Sequence, residues 1–389
     1  MLDALPVERD AKCPFDPPAE LARIQETSPL TQMRYPNGHE GWLATSRAHV
    51  RAVLSDPRFS ARNELINRPV PGPVGELPAA RPGEFIFMDA PEHTRYRRLL
   101  IGQFTVRRMR ALADRVEQIT TEHLDEMRRQ GPGVDLVQAF ARPIPSLMIC
   151  ELLGVPYEDR ETFQRDADMV VGQEPDLEKF HAALIGLRSF LGDLVLAKRA
   201  DPTDDLLSDL TTSDLTDEEL TNIGVSLLSA GQVTTMTMLT MGTLVLLQQP
   251  ERFAAMRDDT ERAVEELLRY LTIIPFLNRV AHEDVELDGQ RIRAGETVTL
   301  SLQAANRDPD QFTEPDVLDL GREGRGHIAF GHGVHQCLGQ QLARVEMQAA
   351  FRALATRFPT LRLAVPFEEL PLRPGTLNFD VLSLPVTWD

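Results

Sequence analysis

The chain of 389 residues is poor in cysteine and in positive charge, and each shortage removes a class of protein. Three cysteines, Cys13, Cys150 and Cys337, are too few and too scattered to staple a chain of this length, so no disulfide scaffold is expected and a reducing compartment suits it. Lys and Arg number 41 against 59 Asp and Glu, a formal net charge of -18, which argues against a nucleic-acid partner or an anionic membrane surface unless the basic residues cluster. The first thirty residues hold Asp3, Glu8, Asp10 and Asp16 and no apolar run. No secretory signal or N-terminal anchor is read there, and a cytoplasmic protein is expected. Homopolymer tracts, internal repeats and linkers are lacking too. With 42% hydrophobic and 26% charged residues the chain reads as one globular unit over 1–389 rather than as a disordered one.

Charge is also missing from Leu220 to Pro250, long enough to cross a bilayer as a helix. Its many polar residues, among them Asn222, Ser226, Ser229, Gln232 and the threonines from Thr234 to Thr243, suit a helix through a protein core instead. Thr216-Asp217-Glu218-Glu219 supplies a capping-box start and Pro250 a stop. Apolar spacing near 3.6 predicts further helices over Arg107–Gln130, Asp135–Leu153, Leu177–Lys198, Asp259–Leu271 and Cys337–Phe358. Strands are expected around Trp42–Ala44, Val285–Leu287, Thr297–Leu302 and within Leu361–Trp388, and a long loop over Ile66–Arg81. The result is a mainly α (α+β) chain: a helical body at 91–271 and 337–358, with β-richer segments near 35–60, 275–320 and 360–389.

The densest anomaly is His327-Ile328-Ala329-Phe330-Gly331-His332-Gly333-Val334-His335-Gln336-Cys337-Leu338-Gly339, which runs into a helix. A helix N-terminus favours a thiolate, so Cys337 suits a soft metal or a nucleophilic role. Gly331 and Gly333 let backbone amides turn toward the sulfur, and Gly339 leaves room for a flat group. Zinc is the first alternative, although no C-x-x-C pair is present.

This segment resembles the haem-binding loop F-G-x-G-x-H-x-C-x-G of the cytochrome P-450 family at every fixed position from Phe330 to Gly339. The resemblance implies a triangular, helix-rich single-domain fold with minor sheets, and haem b between the long core helix and the cysteine-loop helix. Cys337 would be the axial thiolate and only metal ligand, with Phe330 shielding the sulfur and Gly331 and Gly339 shaping the loop. His93 and Arg97 in Glu92-His93-Thr94-Arg95-Tyr96-Arg97-Arg98, with Arg279 and His335, would hold haem propionates. Glu266 and Arg269, spaced i,i+3, resemble the family's buried E-x-x-R brace. The acid-free island of Arg95, Arg97, Arg98, Arg107, Arg108 and Arg110 suits an acidic electron donor, a ferredoxin or flavodoxin with its reductase.

Ala230-Gly231-Gln232-Val233-Thr234-Thr235 resembles A-G-x-[Asp/Glu]-T-T, in which Gly loosens the helix and the acid and Thr relay protons to dioxygen. Thr234 is retained, and Val233 replaces the acid. Gln232 or solvent could supply the path, the substrate could, or oxygen insertion is not the task; an apolar swap that merely shapes the pocket is the plain alternative. The expected pocket is apolar, with Ile66, Phe85, Phe87, Val170, Val171, Val233, Ile274 and Phe379 as walls and Asn63, Asn67, Gln232 and Asn378 as polar contacts. These features imply a soluble, monomeric bacterial oxidase that tailors natural products through an iron-oxo species by hydrogen abstraction and hydroxylation. Radical C–C or C–N coupling of an aromatic substrate, such as a tryptophan-containing diketopiperazine, is the alternative. A haem-based sensor or silent recruiting partner is the non-enzyme reading.

Overall fold

Long apolar-periodic segments become the helices that frame the site. They are α1 (Glu92–Ile101), α2 (Val106–Gln130), α3 (Pro143–Leu153), α4 (Arg160–Val171), α5 (Leu177–Ala200), α6 (Asp217–Leu247), α7 (Thr260–Leu271) and α8 (Gln340–Arg357). The computed structural model describes residues 1–10, 13–71, 77–104, 106–171, 176–372 and 380–389. Helix α6 starts on the expected capping box: the Glu219 N–H donates to Thr216 Oγ1 (3.2 Å) and the Thr216 N–H to Glu219 Oε2 (2.7 Å). It runs without interruption for 31 residues, about 46 Å at 1.5 Å per residue, and stops before Pro250.

Helices α5 and α6 are both long and apolar enough to span a membrane. In α6, however, 67% of the apolar window is buried within the protein, against 28% in α5. The main core gathers α2, α3, α6 and α8 through fully buried side chains such as Ile119, Met148, Leu239, Leu244 and Phe351. Each such side chain contributes roughly 1.5–3 kcal/mol by leaving water.

One expected helix differs. Over Asp135–Leu153 the chain instead forms a short strand, Val134–Asp135, then a π-helical turn, Val137–Ala141, and only then α3. Pro143 and Pro145 account for the late start, since proline is tolerated only in a first helical turn.

The principal sheet has the order β1-β2-β5-β4-β3, with β1 Leu30–Arg34, β2 Glu40–Ala44, β3 Phe59–Ser60, β4 Phe276–Ala281 and β5 Thr297–Ser301. Strands β2 and β5 are parallel, with Trp42 opposite Val298; the other pairs are antiparallel. Gly41 is required where β2 meets β5, because a Cβ there would stand 2.3 Å from the Thr297 carbonyl oxygen. A three-stranded sheet joins Val134–Asp135, Pro385–Thr387 and Arg362–Leu363, and Val285–Leu287 pairs with Gln290–Ile292. The fold is mainly α with minor sheets, and β4 carries Arg279 to the site.

Candidate cofactor and active site

Cys337 is held by a turn that only its glycines permit. Gly331 and Gly333 have φ of 71° and 73°, and a Cβ on Gly333 would stand 2.2 Å from the Leu54 carbonyl oxygen. The Cys337 N–H donates to the Phe330 carbonyl at 2.9 Å, closing the loop three residues before α8. Burial pushes the thiol up from its ordinary value, while the Gly339 N–H and the charges of Arg97 and Arg344 act in the opposite direction. Against the thiolate expected of a helix N-terminus, desolvation outweighs the amide and the cations. A metal seated on the sulfur would reverse that balance, since a coordinating thiol is deprotonated outright. Among the described residues no group of three His, Cys, Asp or Glu could hold a metal ion, so the zinc alternative finds no ligand set. A Cβ added at Gly339 would meet nothing within 4 Å, which leaves the room a flat cofactor needs.

A cationic cradle stands beside the loop. The rings of His93 and His335 lie 3.9 Å apart at 30°, and His93 Nε2 is buried without a partner among the described residues. Burial, with Arg97 adding its charge, lowers His93 to about 4; burial and Arg279 lower His335 to about 3. Arg279 is 8% exposed and its pKa falls to about 10, chiefly through burial. Arg97 donates to the Gln336 carbonyl, so α1 is tied to the cysteine loop. Asp89 is the neighbouring anion, but it is already engaged by Ser60 (2.5 Å), the Ala61 N–H (2.9 Å) and His282 (3.1 Å). Two arginines and two histidines with an orphaned ring nitrogen fit a ligand bearing carboxylates. His93, Arg97, Arg279 and His335 are brought together as expected.

In α6, Ser226, Ser229, Ala230, Val233 and Thr234 form a partly accessible stripe at spacings of three and four. Thr234 Oγ1 donates to the Ala230 carbonyl at 2.8 Å. Gly231 does not loosen the helix; its missing side chain lets α3 approach, since a Cβ would sit 2.8 Å from Ile149 Cδ1. Gln232 turns off the stripe. It is 1% exposed and donates from Nε2 to Asp168 Oδ1 at 2.7 Å, while Asp168 Oδ2 meets Arg142 Nη2 at 2.8 Å. Asp168 was not singled out from sequence, and Ser226 and Ser229 were read only as polar residues of a core helix; for the two serines, small residues at three- and four-residue spacing in a bulky helix were the available signal.

The expected pocket walls separate. Phe87 and Ile274 are accessible at 41% and 37%, but Phe85 is buried in the main core and Val170 packs against it. Ile66 caps the turn Asn63–Leu65, and Asn67 is engaged by Asn37 (2.7 Å) and Thr297 (3.0 Å), so it offers no free amide. Val171 is the last residue of α4. Leu377, Asn378 and Phe379 lie outside the described residues.

Glu266 and Arg269 form a fully buried bidentate pair at 2.7 and 2.8 Å. Arg269 also donates to the carbonyls of Asn306, Pro315 and Val317. Half of the arginine island is paired at the surface: Arg95 with Glu219 (2.6 Å), Arg107 with Asp204 (3.1 Å) and Arg108 with Asp209 (2.7 Å). Much of its charge therefore neutralises the acidic segment before α6. Arg98 and Arg110 are exposed and make no ion pair among the described residues.

A profile of the cytochrome P450 family matches residues 260–363. Cytochrome P450 105C1 of Streptomyces sp is 46% identical over 380 residues, covering 96% of each chain. The vitamin D3 dihydroxylase of Streptomyces griseolus is 42% identical over 396 residues, covering 99% of this chain and 97% of its own. Among solved structures, Streptomyces peucetius CYP105P2 in complex with a biphenyl compound superimposes at TM-score 0.92 with 43% identity, covering 100% of this chain and 99% of its own. CYP105P1 in complex with filipin I does so at 0.89 with 42% identity, again over 100% and 99%. Fold, cradle and relatives define a haem-thiolate oxidoreductase. The chain belongs to the cytochrome P450 family, whose haem b is held by an axial cysteine thiolate and whose bacterial members take electrons from a ferredoxin and reductase to use dioxygen.

Proposed function

We propose that Cys337 is the axial ligand, that His93, Arg97, Arg279 and His335 hold the haem propionates, and that this soluble, cytoplasmic, monomeric enzyme hydroxylates a mostly apolar natural product. The observation that carries the reading is the half-buried sulfur on its glycine turn beside a cradle of two arginines and two histidines in which His93 Nε2 finds no partner among the described residues. Bound haem supplies activation of dioxygen with two electrons. The chain supplies the rest. Thr234 Oγ1, oriented by the Ala230 carbonyl, is the proton-carrying hydroxyl of the accessible stripe, and Val233 keeps that stripe free of carboxylate. Phe87 and Ile274 provide apolar contact, and the Ser226 and Ser229 hydroxyls provide polar contact. Two relatives are named vitamin D3 dihydroxylase and pentalenic acid synthase, and the first name supports hydroxylation here.

Cys337→Ser tests the ligand: the ferrous carbonyl complex is expected to lose the red-shifted Soret band of thiolate ligation, and its retention would refute the assignment. A screen for compounds that shift the ferric Soret band identifies the substrate class. The absence of an acid beside Thr234 keeps a second reading, radical coupling of an aromatic diketopiperazine. Turnover giving a hydroxylated monomer and no dimer would exclude it.

A further inference from the structure

The cysteine loop has a second set of charged contacts that ligation of the haem does not explain. Arg344, in the second turn of α8, lays its guanidinium over the Phe330 ring, 4.6 Å from the centroid. Phe330 is also the residue whose carbonyl receives the Cys337 N–H, so the cation rests on the same turn that holds the sulfur. Glu265 of α7 fixes that cation with both oxygens: Arg344 Nε lies 2.5 Å from Oε1, and Nη2 lies 3.1 Å from Oε2. His327 completes the clamp. Its Nδ1 accepts the Ala329 N–H at 3.1 Å, which leaves the ring hydrogen on Nε2, 3.0 Å from Glu265 Oε2.

The clamp stays ionised. Burial raises the Glu265 carboxyl, but hydrogen bonds from His327 and Arg344 outweigh burial and hold it at about 2. Gly324 lets the neighbouring segment close over Glu265, since a Cβ there would stand 2.7 Å from the Glu265 Cβ. Arg344 and Glu265 keep only 21% and 24% side-chain exposure, so solvent screens them incompletely. Arg344, and not Glu265, is among the charges that act on the Cys337 thiol.

We propose that Glu265, assisted by His327, is a positioning residue that fixes the Arg344 cation over Phe330 and thereby sets the reduction potential of the haem held by Cys337. The proposal rests on Cys337 as the axial ligand. Reduction adds an electron beside an anionic sulfur, and a cation held close by stabilises that added charge. Glu265 acts through Arg344, so releasing the clamp and deleting the cation move the potential the same way.

Spectroelectrochemical titration of the substrate-free holoenzyme tests this. Arg344→Met is expected to make reduction threefold to tenfold less favourable, roughly 30–60 mV at 59 mV per tenfold for a one-electron couple. Glu265→Gln is expected to shift it in the same direction by about half as much, and the double variant to match Arg344→Met. Arg344→Lys, which keeps the charge, recovers part of the shift and serves if the Met variant fails to retain haem. A potential that rises in Glu265→Gln, or one unchanged in all variants while Tm falls, overturns the positioning role. The ferrous carbonyl band separates the two layers: an unshifted potential with an intact thiolate band refutes the clamp alone, whereas a band that persists in Cys337→Ser refutes both the ligand and the clamp.

Discussion

Glu346 and Glu266 show what a buried carboxylate costs with and without a partner. Glu346, in α8, is 4% exposed, its Oε2 has no partner among the described residues, and burial alone lifts its pKa to about 8. Between its ordinary value of 4.5 and about 8, the folded chain keeps this proton and the unfolded chain releases it, so stability falls as pH rises through that window. Glu346→Gln is therefore expected to be more stabilising at pH 8 than at pH 5, by about 3 kcal/mol, in urea unfolding of the variant and parent at both pH values. Equal effects at the two pH values would contradict it. Glu266 is buried as deeply but is matched by Arg269, the Asp319 N–H and Arg322. Arg269→Ala leaves that anion alone and is expected to cost about 3–5 kcal/mol, read as a lowered urea midpoint or a loss of soluble protein. The Glu266–Arg269 pairing was legible as i,i+3 spacing. Glu346 was not, because a single glutamate on an amphipathic helix looks like any solvated one until the opposite side is seen to be packed.

At the scale of elements, two glycines of α6 separate by what they touch. A Cβ at Gly242 would stand 2.5 Å from Phe351 Cζ, a ring fully buried in the core, whereas one at Gly231 would press only on the end of the Ile149 side chain, Cδ1 at 2.8 Å and Cγ1 at 3.5 Å. Gly242→Ala is expected to destabilise by about 1–3 kcal/mol through overpacking. Gly231→Ala is expected to stay within about 1 kcal/mol of the parent, because helix propensity offsets a displaced methyl. Thermal unfolding of the two variants checks the order, and a larger loss for Gly231→Ala would reverse the assignment. The start and stop of α6 were readable from Thr216 to Glu219 and from Pro250, since capping is local chemistry. The strand at Val134–Asp135 was not, because its partner Pro385–Thr387 lies at the far end of the chain.

For the whole molecule, net charge is a poor guide to where charge is free. The island between His93 and Ala113 reads as a docking face by composition, but Arg95, Arg107 and Arg108 pair with Glu219, Asp204 and Asp209, acids more than ninety positions away. Arg98 on α1 makes no ion pair among the described residues, with Ile101 at 56% exposure three residues on and Val334 of the cysteine loop at 68%. Charge reversal Arg98→Glu is expected to weaken ferredoxin binding about tenfold at low salt, with the difference fading at high salt; Arg107→Glu is expected to matter several-fold less. Titration of the donor at two ionic strengths measures both, and equal losses would place the surface elsewhere. The cysteine loop revealed the cofactor from ten consecutive residues, whereas the ion pairs that redistribute the arginines depend on folding.

The order β1-β2-β5-β4-β3 also has a temporal side. Strands β1, β2 and β3 leave the ribosome within the first sixty residues, yet β4 and β5, which must lie between β2 and β3, follow more than two hundred residues later. At about 5–20 residues per second the early strands wait some ten seconds or more with an unpaired edge, and no local pairing can replace the missing neighbours. Late completion of the sheet thus follows from the strand order, and a nascent chain arrested just after α6 should expose Trp42 and Leu43 to protease while the helices behind it are already protected.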